Sequence, residues 1–424
     1  MSGTALGSGA LVFPFPRRSL ERPEPPPEGW RHRVVGLFSG IGGLERGLHR
    51  WDHDTALLCE IDEAAREVLA QRFPGVDLHS DVRTLDHLPS GTTLIAAGFP
   101  CQDLSQAGET KGISGARSGL VEQVFRLVQK HETPWVLLEN VPFMLQLSGG
   151  KAISVLASRF EQLGYKWAYR VVDAMSFGLP QRRRRVFFLA SNSGDPRSVL
   201  FADEVANPDL LPNDAAGVAC GFYWTEGIRG LGWAVNAIPT LKGGSTIGIP
   251  SSPAILLTDG RVVTIDIRDA ERLQGFPADW TRPAEKVSRK GSRWKLVGNA
   301  VSVRAANWIG RRMLTPGSPL DVASAPLRDG NPWPTAACNV GQGRYRVFIS
   351  EWPVHSKRRP LDSFLRYPLR PLSSRATEGF LKRTEQAKLR FPAGFLDALR
   401  GHLDRVSQQD TVSSLILGSH SKAG

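Results

Sequence analysis

Cysteine is scarce in this chain, and long apolar runs are absent. Its 424 residues hold four cysteines, at positions 59, 101, 220 and 338. They form no CxxC pair and join no His/Cys cluster with ligand spacing, so neither a metal site nor a disulfide framework is expected. Scattered thiols suit a reducing compartment, here read as the cytoplasm, where a lone cysteine is either core filler or nucleophile. No apolar run approaches the roughly 20 residues of a membrane helix. The N-terminus lacks a charged segment followed by an apolar core, so no signal peptide is expected. No internal repeat is visible, which argues against a solenoid or propeller. Acidic residues are the scarcer charge: 41 Asp and Glu stand against 53 Lys and Arg, a net charge of +12. Such an excess suits a polyanionic partner, although a merely basic soluble protein has the same balance.

The first 30 residues end in Glu24-Pro25-Pro26-Pro27 and show no periodicity, as a flexible arm would. From Arg33 onward, short apolar runs alternate with helical stretches. Strands are predicted at 34–38, 56–60, 94–97 and 135–138, with helices at 44–48, 63–72 and 120–130 between them. A pair at 167–172 and 185–190 reads as a late hairpin. Strand–helix alternation with short links predicts a doubly wound α/β sheet. The rhythm stops over 191–260, a stretch rich in Gly, Pro and Asn that suits a smaller, loop-rich domain. Residues 264–312 read as helical again. Beyond Pro316 a Pro- and Arg-rich tail carries Trp333, Trp352 and two helices near 373–389 and 393–404.

Several short segments carry candidate chemistry. Phe38-Ser39-Gly40-Ile41-Gly42-Gly43 follows a strand and opens a helix, where glycines let the backbone approach a ligand; a tight packing turn has the same pattern. Glu60 ends the next strand, placed to bind ribose hydroxyls or simply to sit solvated. Asp81 follows a third segment and could accept from an adenine amino group. Their order describes an adenosine site, and no phosphate-binding lysine follows the glycines. Gly98-Phe99-Pro100-Cys101-Gln102 puts a cysteine at the carboxyl edge of the sheet, followed by a glycine-rich stretch suited to a lid. Glu139-Asn140-Val141 ends the next strand at the same edge. A carboxyl near a thiol can protonate a ring nitrogen while sulfur adds to the ring. Gln181-Arg182-Arg183-Arg184-Arg185 is the densest positive run. It is either a solvated patch or, because it enters a strand, a row whose alternate members point inward.

Taken in order with Arg272-Leu273-Gln274-Gly275-Phe276-Pro277 and Gly298-Asn299-Ala300-Val301, these segments resemble the motif series of the DNA cytosine-C5 methyltransferases. The resemblance covers about residues 33–312 in the unpermuted order. It implies a Rossmann-like SAM-dependent methyltransferase domain with a smaller loop-rich target-recognition domain. The expected organisation is an arm at 1–30, a catalytic domain at 31–190, a recognition region at 191–260, a return to the catalytic domain at 261–315 and an extension at 316–424.

Carried over motif by motif, the resemblance makes Cys101 the nucleophile and Glu139 the acid at cytosine N3. It makes Arg185 the residue that holds O2 and orients Glu139, with Arg183 as its companion. Expected S-adenosyl-L-methionine (SAM) contacts are Phe38, Gly40, Gly42, Glu60, Ile61, Asp81, Pro100, Leu120 and Asn299. Expected DNA contacts are Ser105 in the lid, then Thr240 and Lys242 in the recognition region. The implied partners are double-stranded DNA and a cognate restriction endonuclease acting on the same site. The chain is expected to work as a monomer away from membranes.

Some residues depart from the family pattern. Gly36 stands where the first motif often has aspartate, which puts one cofactor-side hydrogen bond in doubt. Ile267 and Asp269 replace a frequent Pro and Glu, and the helix they lie on is expected to support the domain junction. The tail matches no motif, and its Lys357-Arg358-Arg359 cluster fits DNA contact or packing on the small domain. Two other functions use much of the same pattern: an RNA cytosine-C5 methyltransferase, and a non-catalytic SAM-binding DNA regulator. The second would not need Cys101, Glu139 and Arg185 together.

Overall fold

A computed structural model of the chain describes residues 31–99, 119–205, 217–244, 252–289 and 291–420, the last ten by backbone alone. The expected N-terminal arm, Pro100, Cys101 and Ser105 lie outside the described residues.

The chain starts with β1 (Arg33–Leu37), α1 (Gly43–His49), β2 (Asp54–Cys59), α2 (Glu63–Arg72), β3 (Asp77–His79), β4 (Leu94–Ala97), α3 (Leu120–His131) and β5 (Trp135–Asn140). These strands lie in the order β5-β4-β1-β2-β3, all parallel. Strands covered on both faces must be apolar on both, which is why β1, β4 and β5 read as unbroken hydrophobic runs. On one face, Val35 and Leu37 pack with Val124 and Val128 of α3. On the other, Val34 packs with Leu44 and Leu48 of α1.

Next come α4 (Lys151–Gln162), β6 (Lys166–Asp173) and β7 (Arg184–Ser191). β7 runs antiparallel between β5 and β6, so the expected late hairpin extends the parallel sheet. A second sheet is built from β8 (Cys220–Phe222), β9 (Trp233–Val235), β10 (Ala254–Leu256) and β11 (Val262–Thr264). β11 pairs with β10, so this sheet runs past residue 260, where the sequence suggested a return to the large domain. The chain then forms α5 (Ile267–Leu273), α6 (Ser292–Asn299) and α7 (Val303–Leu314). Ala305, Ala306 and Ile309 of α7 complete the α1 face of the large sheet.

The tail is structural on both sides. Its β12 (Ser324–Pro326), β13 (Ala336–Asn339) and β14 (Tyr345–Val347) bring the large sheet to ten strands, with β13 antiparallel to β6. Trp333 lies 6.1 Å from both the Trp167 and Tyr169 rings. Further on, β15 (Arg370–Pro371) pairs with β11, and α8 (Ser374–Gln386) and α9 (Phe395–His420) cover the small sheet. Phe380, Phe395 and Leu399 there pack on Cys220, Phe222 and Val262. Residues 316–420 are thus divided between the two sheets rather than forming an appendage. No helix among the described residues is long and apolar enough to cross a membrane.

Candidate active site

The turn after β1 needs unusual backbone. Phe38, Gly40 and Gly42 have φ of 53°, 54° and 81°. Positive φ is costly for a side-chain-bearing residue, so Phe38 marks a conformation that the surroundings impose. The Gly40 N–H donates to Glu60 Oε2 at 2.7 Å, and the Asp62 N–H to Glu60 Oε1 at 2.8 Å. Burial pushes the Glu60 carboxyl above the usual range, and those two N–H groups oppose the shift. Beside it Ile61 is 64% exposed, an apolar surface next to a carboxylate. Asp81 is bound by Arg83, whose side chain donates to it and holds its carboxyl below the usual range. Leu120 opens α3 half-buried, and Asn299 is exposed at the end of α6.

At the sheet's carboxyl edge, Glu139 of β5 faces Arg185 of β7. Arg185 Nε lies 3.0 Å from Glu139 Oε1, with side-chain exposures of 11% and 9%. The pair is close in distance but poorly angled, leaving Oε1 without an aligned donor. Burial raises the Glu139 carboxyl above the usual range, against the pull of Arg185 and then Arg183. A side chain at Gly98 would bring its Cβ within 3.7 Å of Glu139 Oε2, so the segment leading to Cys101 leaves β4 against this carboxyl. Asn140 Nδ2 donates to the Phe99 carbonyl at 3.0 Å and anchors that exit.

The arginine run alternates as a strand entrance must. Gln181 and Arg183 are buried, Arg182 and Arg184 are exposed, and the Arg185 side chain is largely covered. Arg184 pairs outward with Glu351 of the tail. Arg183 takes a structural place beside Arg185. Its guanidinium donates to the carbonyls of Leu241 at 2.9 Å, Gly298 at 3.2 Å and Ala300 at 2.6 Å. It therefore clamps three segments together, and Arg185 is the arginine that pairs with Glu139.

Comparison with known proteins bears on what this edge does. The family model described as C-5 cytosine-specific DNA methylase matches residues 32–214. The Type II methyltransferase M2.BsuMI of Bacillus subtilis (strain 168) is 47% identical over 389 residues, which is 89% of this chain and 100% of that protein. The chain belongs to the C-5 cytosine-specific DNA methylase family. The Type II methyltransferase M.NgoBI of Neisseria gonorrhoeae is 29% identical over 64% of this chain and 90% of its own length. Among solved structures, the S. pombe Dnmt2 methyltransferase has a TM-score of 0.50 at 18% identity, covering 67% of this chain and 98% of that one, a likeness of fold. This methylase is a DNA cytosine-5-methyltransferase of restriction-modification type.

In this methylase Thr240 and Lys242, expected to contact DNA, lie close to the entrance of β7 and the end of α6. The Thr240 hydroxyl donates to the Arg182 carbonyl at 2.7 Å, and Tyr223 donates to the Thr240 carbonyl at 2.6 Å. Lys242 Nζ is 3.4 Å from the buried Glu226 and 4.0 Å over the Tyr223 ring, so it is partly engaged inside the protein. A Cβ at Gly298 would collide with the Lys242 carbonyl, and one at Gly243 with the Asn299 amide. At Gly298, where the neighbour is backbone, only glycine permits this approach; the exposed Asn299 side chain can move away from Gly243. The Gln181 side chain bonds both the Leu273 carbonyl and the Leu241 N–H, each at 2.9 Å. Neither its inward place nor its partners were read from the sequence. Asp269, the departure in α5, accepts from the N–H groups of Arg366 and Tyr367 and so ties the tail to that helix.

Proposed function

We propose that this methylase transfers a methyl group from SAM to C5 of a flipped-out cytosine through a covalent bond between Cys101 and C6. The observation that carries the reading is the buried Glu139–Arg185 pair at the exit of the strand leading to Cys101. Addition of the Cys101 thiolate breaks the C5=C6 double bond and sends its electrons toward N3. Glu139, whose affinity for a proton is raised by burial, protonates N3. Arg185 holds O2 and keeps the carboxyl aimed at the ring. C5 is then an enamine carbon able to attack a methyl group. Loss of the C5 proton and departure of the Cys101 thiolate restore the ring, while the N3 proton returns to Glu139. A stacked base presents no open face to sulfur, so the cytosine leaves the duplex at a cost of a few kcal/mol.

The Phe38–Gly43 turn with Glu60, Ile61, Asp81, Leu120 and Asn299 suits SAM. A Cβ at Gly40 would meet nothing within 4 Å, leaving open space above a backbone fixed by Glu60. When bound, SAM supplies an electrophilic methyl on a sulfonium. Glu60 would hold the ribose hydroxyls, Ile61 the adenine, and Asp81, here bound by Arg83, would accept from the adenine amino group. The family resemblance adds Pro100 to the cofactor contacts and Ser105 to the DNA contacts. The small sheet and the Thr240–Gly244 loop read the DNA sequence, and a restriction endonuclease for the same sequence is the natural partner.

Duplex DNA carrying 5-fluorocytosine at the target tests the covalent step, because fluorine blocks loss of the C5 substituent. A denaturation-resistant, SAM-dependent complex should accumulate with the native protein and be absent with Cys101→Ala. Adduct formation or methyl transfer by Cys101→Ala would overturn the mechanism, and labelling of tRNA in place of duplex DNA would overturn the substrate.

A further inference from the structure

Glu45 lies in the first turn of α1 and is fully buried. Neither of its carboxyl oxygens has a well-aligned hydrogen-bond partner; its own N–H and the buried Ser39 hydroxyl lie near enough to oppose the upward push of burial on its proton affinity. An ionisable group left so is costly, and it persists where something else uses it. Side chains on a helix lean toward its N-terminus, which directs Glu45 back under the Phe38–Gly43 turn. Gly36 of β1 makes the room. A Cβ there would collide with Glu45 Oε1 and stand 2.6 Å from Ser39 Oγ. The position that lacks a carboxylate in β1 is therefore filled by one from α1. Glu60 adds a second carboxyl at the same turn, near enough to act electrostatically on Glu45. Among the described residues, neither carboxyl has an ion-pair partner. A turn flanked by two carboxyls that lack a cationic partner among the described residues is suited to a cationic ligand group.

We propose that Glu45, acting with Ser39 beneath the turn, binds the ammonium group at the methionine end of the cofactor. This rests on the reading of that turn as the SAM pocket and assigns its charge recognition to a residue outside the motif pattern. Gly36 and Glu45 form a complementary pair, in which one residue yields the volume that the other's carboxylate fills.

The test is equilibrium binding by calorimetry of S-adenosylhomocysteine and of its deamino analogue, in which hydrogen replaces the α-amino group. The native protein should prefer S-adenosylhomocysteine by about tenfold or more. Glu45→Gln should lose that preference by weakening S-adenosylhomocysteine alone, its unchanged affinity for the deamino analogue showing that the pocket is intact. Glu45→Ala combined with Gly36→Asp moves the carboxylate from helix to strand and should restore the preference to within a few-fold. Discrimination retained in Glu45→Gln, or equal weakening of both ligands, would overturn the proposal. Absence of binding by either ligand to the native protein would instead overturn the SAM reading of the turn, and this proposal with it.

Discussion

Glu139 and Glu45 are both buried carboxyls with raised proton affinity, yet their surroundings give them different work. Glu139 faces Arg185, an always-charged partner, and burial raises its affinity for a proton against that charge. Replacing it with Gln removes the transferable proton with little change in shape. We expect Glu139→Gln to lower the methyl-transfer rate by about 10²-fold or more. The native rate should fall on the alkaline side as Glu139 ionises, and the variant should lack that limb in a pH–rate profile. Glu45 is pushed up to about 7, first by burial and further by Glu60. An acid with a raised folded pKa costs no stability below its ordinary value of 4.5, because it is neutral in both states. Above that value the unfolded chain ionises first, so stability falls until about pH 7, by roughly 3 kcal/mol. Without ligand, Glu45→Gln should remove this decline in denaturant titrations between those pH values. An unchanged decline would show that another group causes it. In sequence Glu45 looks like any acid in a first helical turn, and only the missing side chain at Gly36 shows where its carboxyl goes.

At the scale of elements, β1, β2, β4 and β5 were legible because each carries an apolar run long enough to recognise, bounded by glycine or a helical stretch, whereas the three residues of β3 carry none. Alternation showed that some arginines of the run turn inward, and with the family resemblance Arg183 and Arg185 were legible as those. Their partners were not, since Arg183 reaches a carbonyl 58 positions away and another 115 positions away. Pattern rules operate over one turn or one strand and cannot see such distances. The small sheet escaped the sequence for another reason. Its strands β8 to β11 are three residues each, too short for any period to show. Arg183 clamps Leu241 to the Gly298–Ala300 turn, so its loss leaves buried carbonyls unpaired at about 1–3 kcal/mol each. Arg183→Met should lower the melting temperature by several degrees and weaken DNA binding together. Gly298→Ala would press on the Lys242 backbone, at a cost of about 1–3 kcal/mol. Loss of DNA affinity with normal binding of S-adenosylhomocysteine would place that strain in the recognition loop.

For the whole molecule, the tail is the largest difference between sequence and structure. It matches no motif, but β13 closes on β6, and Arg344 pairs with Glu161 at 2.8 Å. Short strands, one ending in Pro326, gave no warning of this. Ending the chain after Pro316 would uncover Trp167, Tyr169 and Phe222, each fully buried in the intact protein. Such a truncation should aggregate, and a monomeric, folded product in size-exclusion chromatography would contradict the division of the tail between two sheets. The net charge of +12 also acts at this scale. Counterion release should make DNA affinity fall about a thousandfold or more between about 50 and 200 mM salt. Binding insensitive to salt would mean that phosphate contacts contribute little.

The sharpest test of the central claim is release of tritium from the C5 position of cytosine in duplex DNA. That bond breaks only after a nucleophile has added at C6 and the ring has been protonated. The native methylase should release tritium in step with methyl incorporation, Glu139→Gln should do so far more slowly, and Cys101→Ala not at all. Release by Cys101→Ala at the native rate would contradict the account.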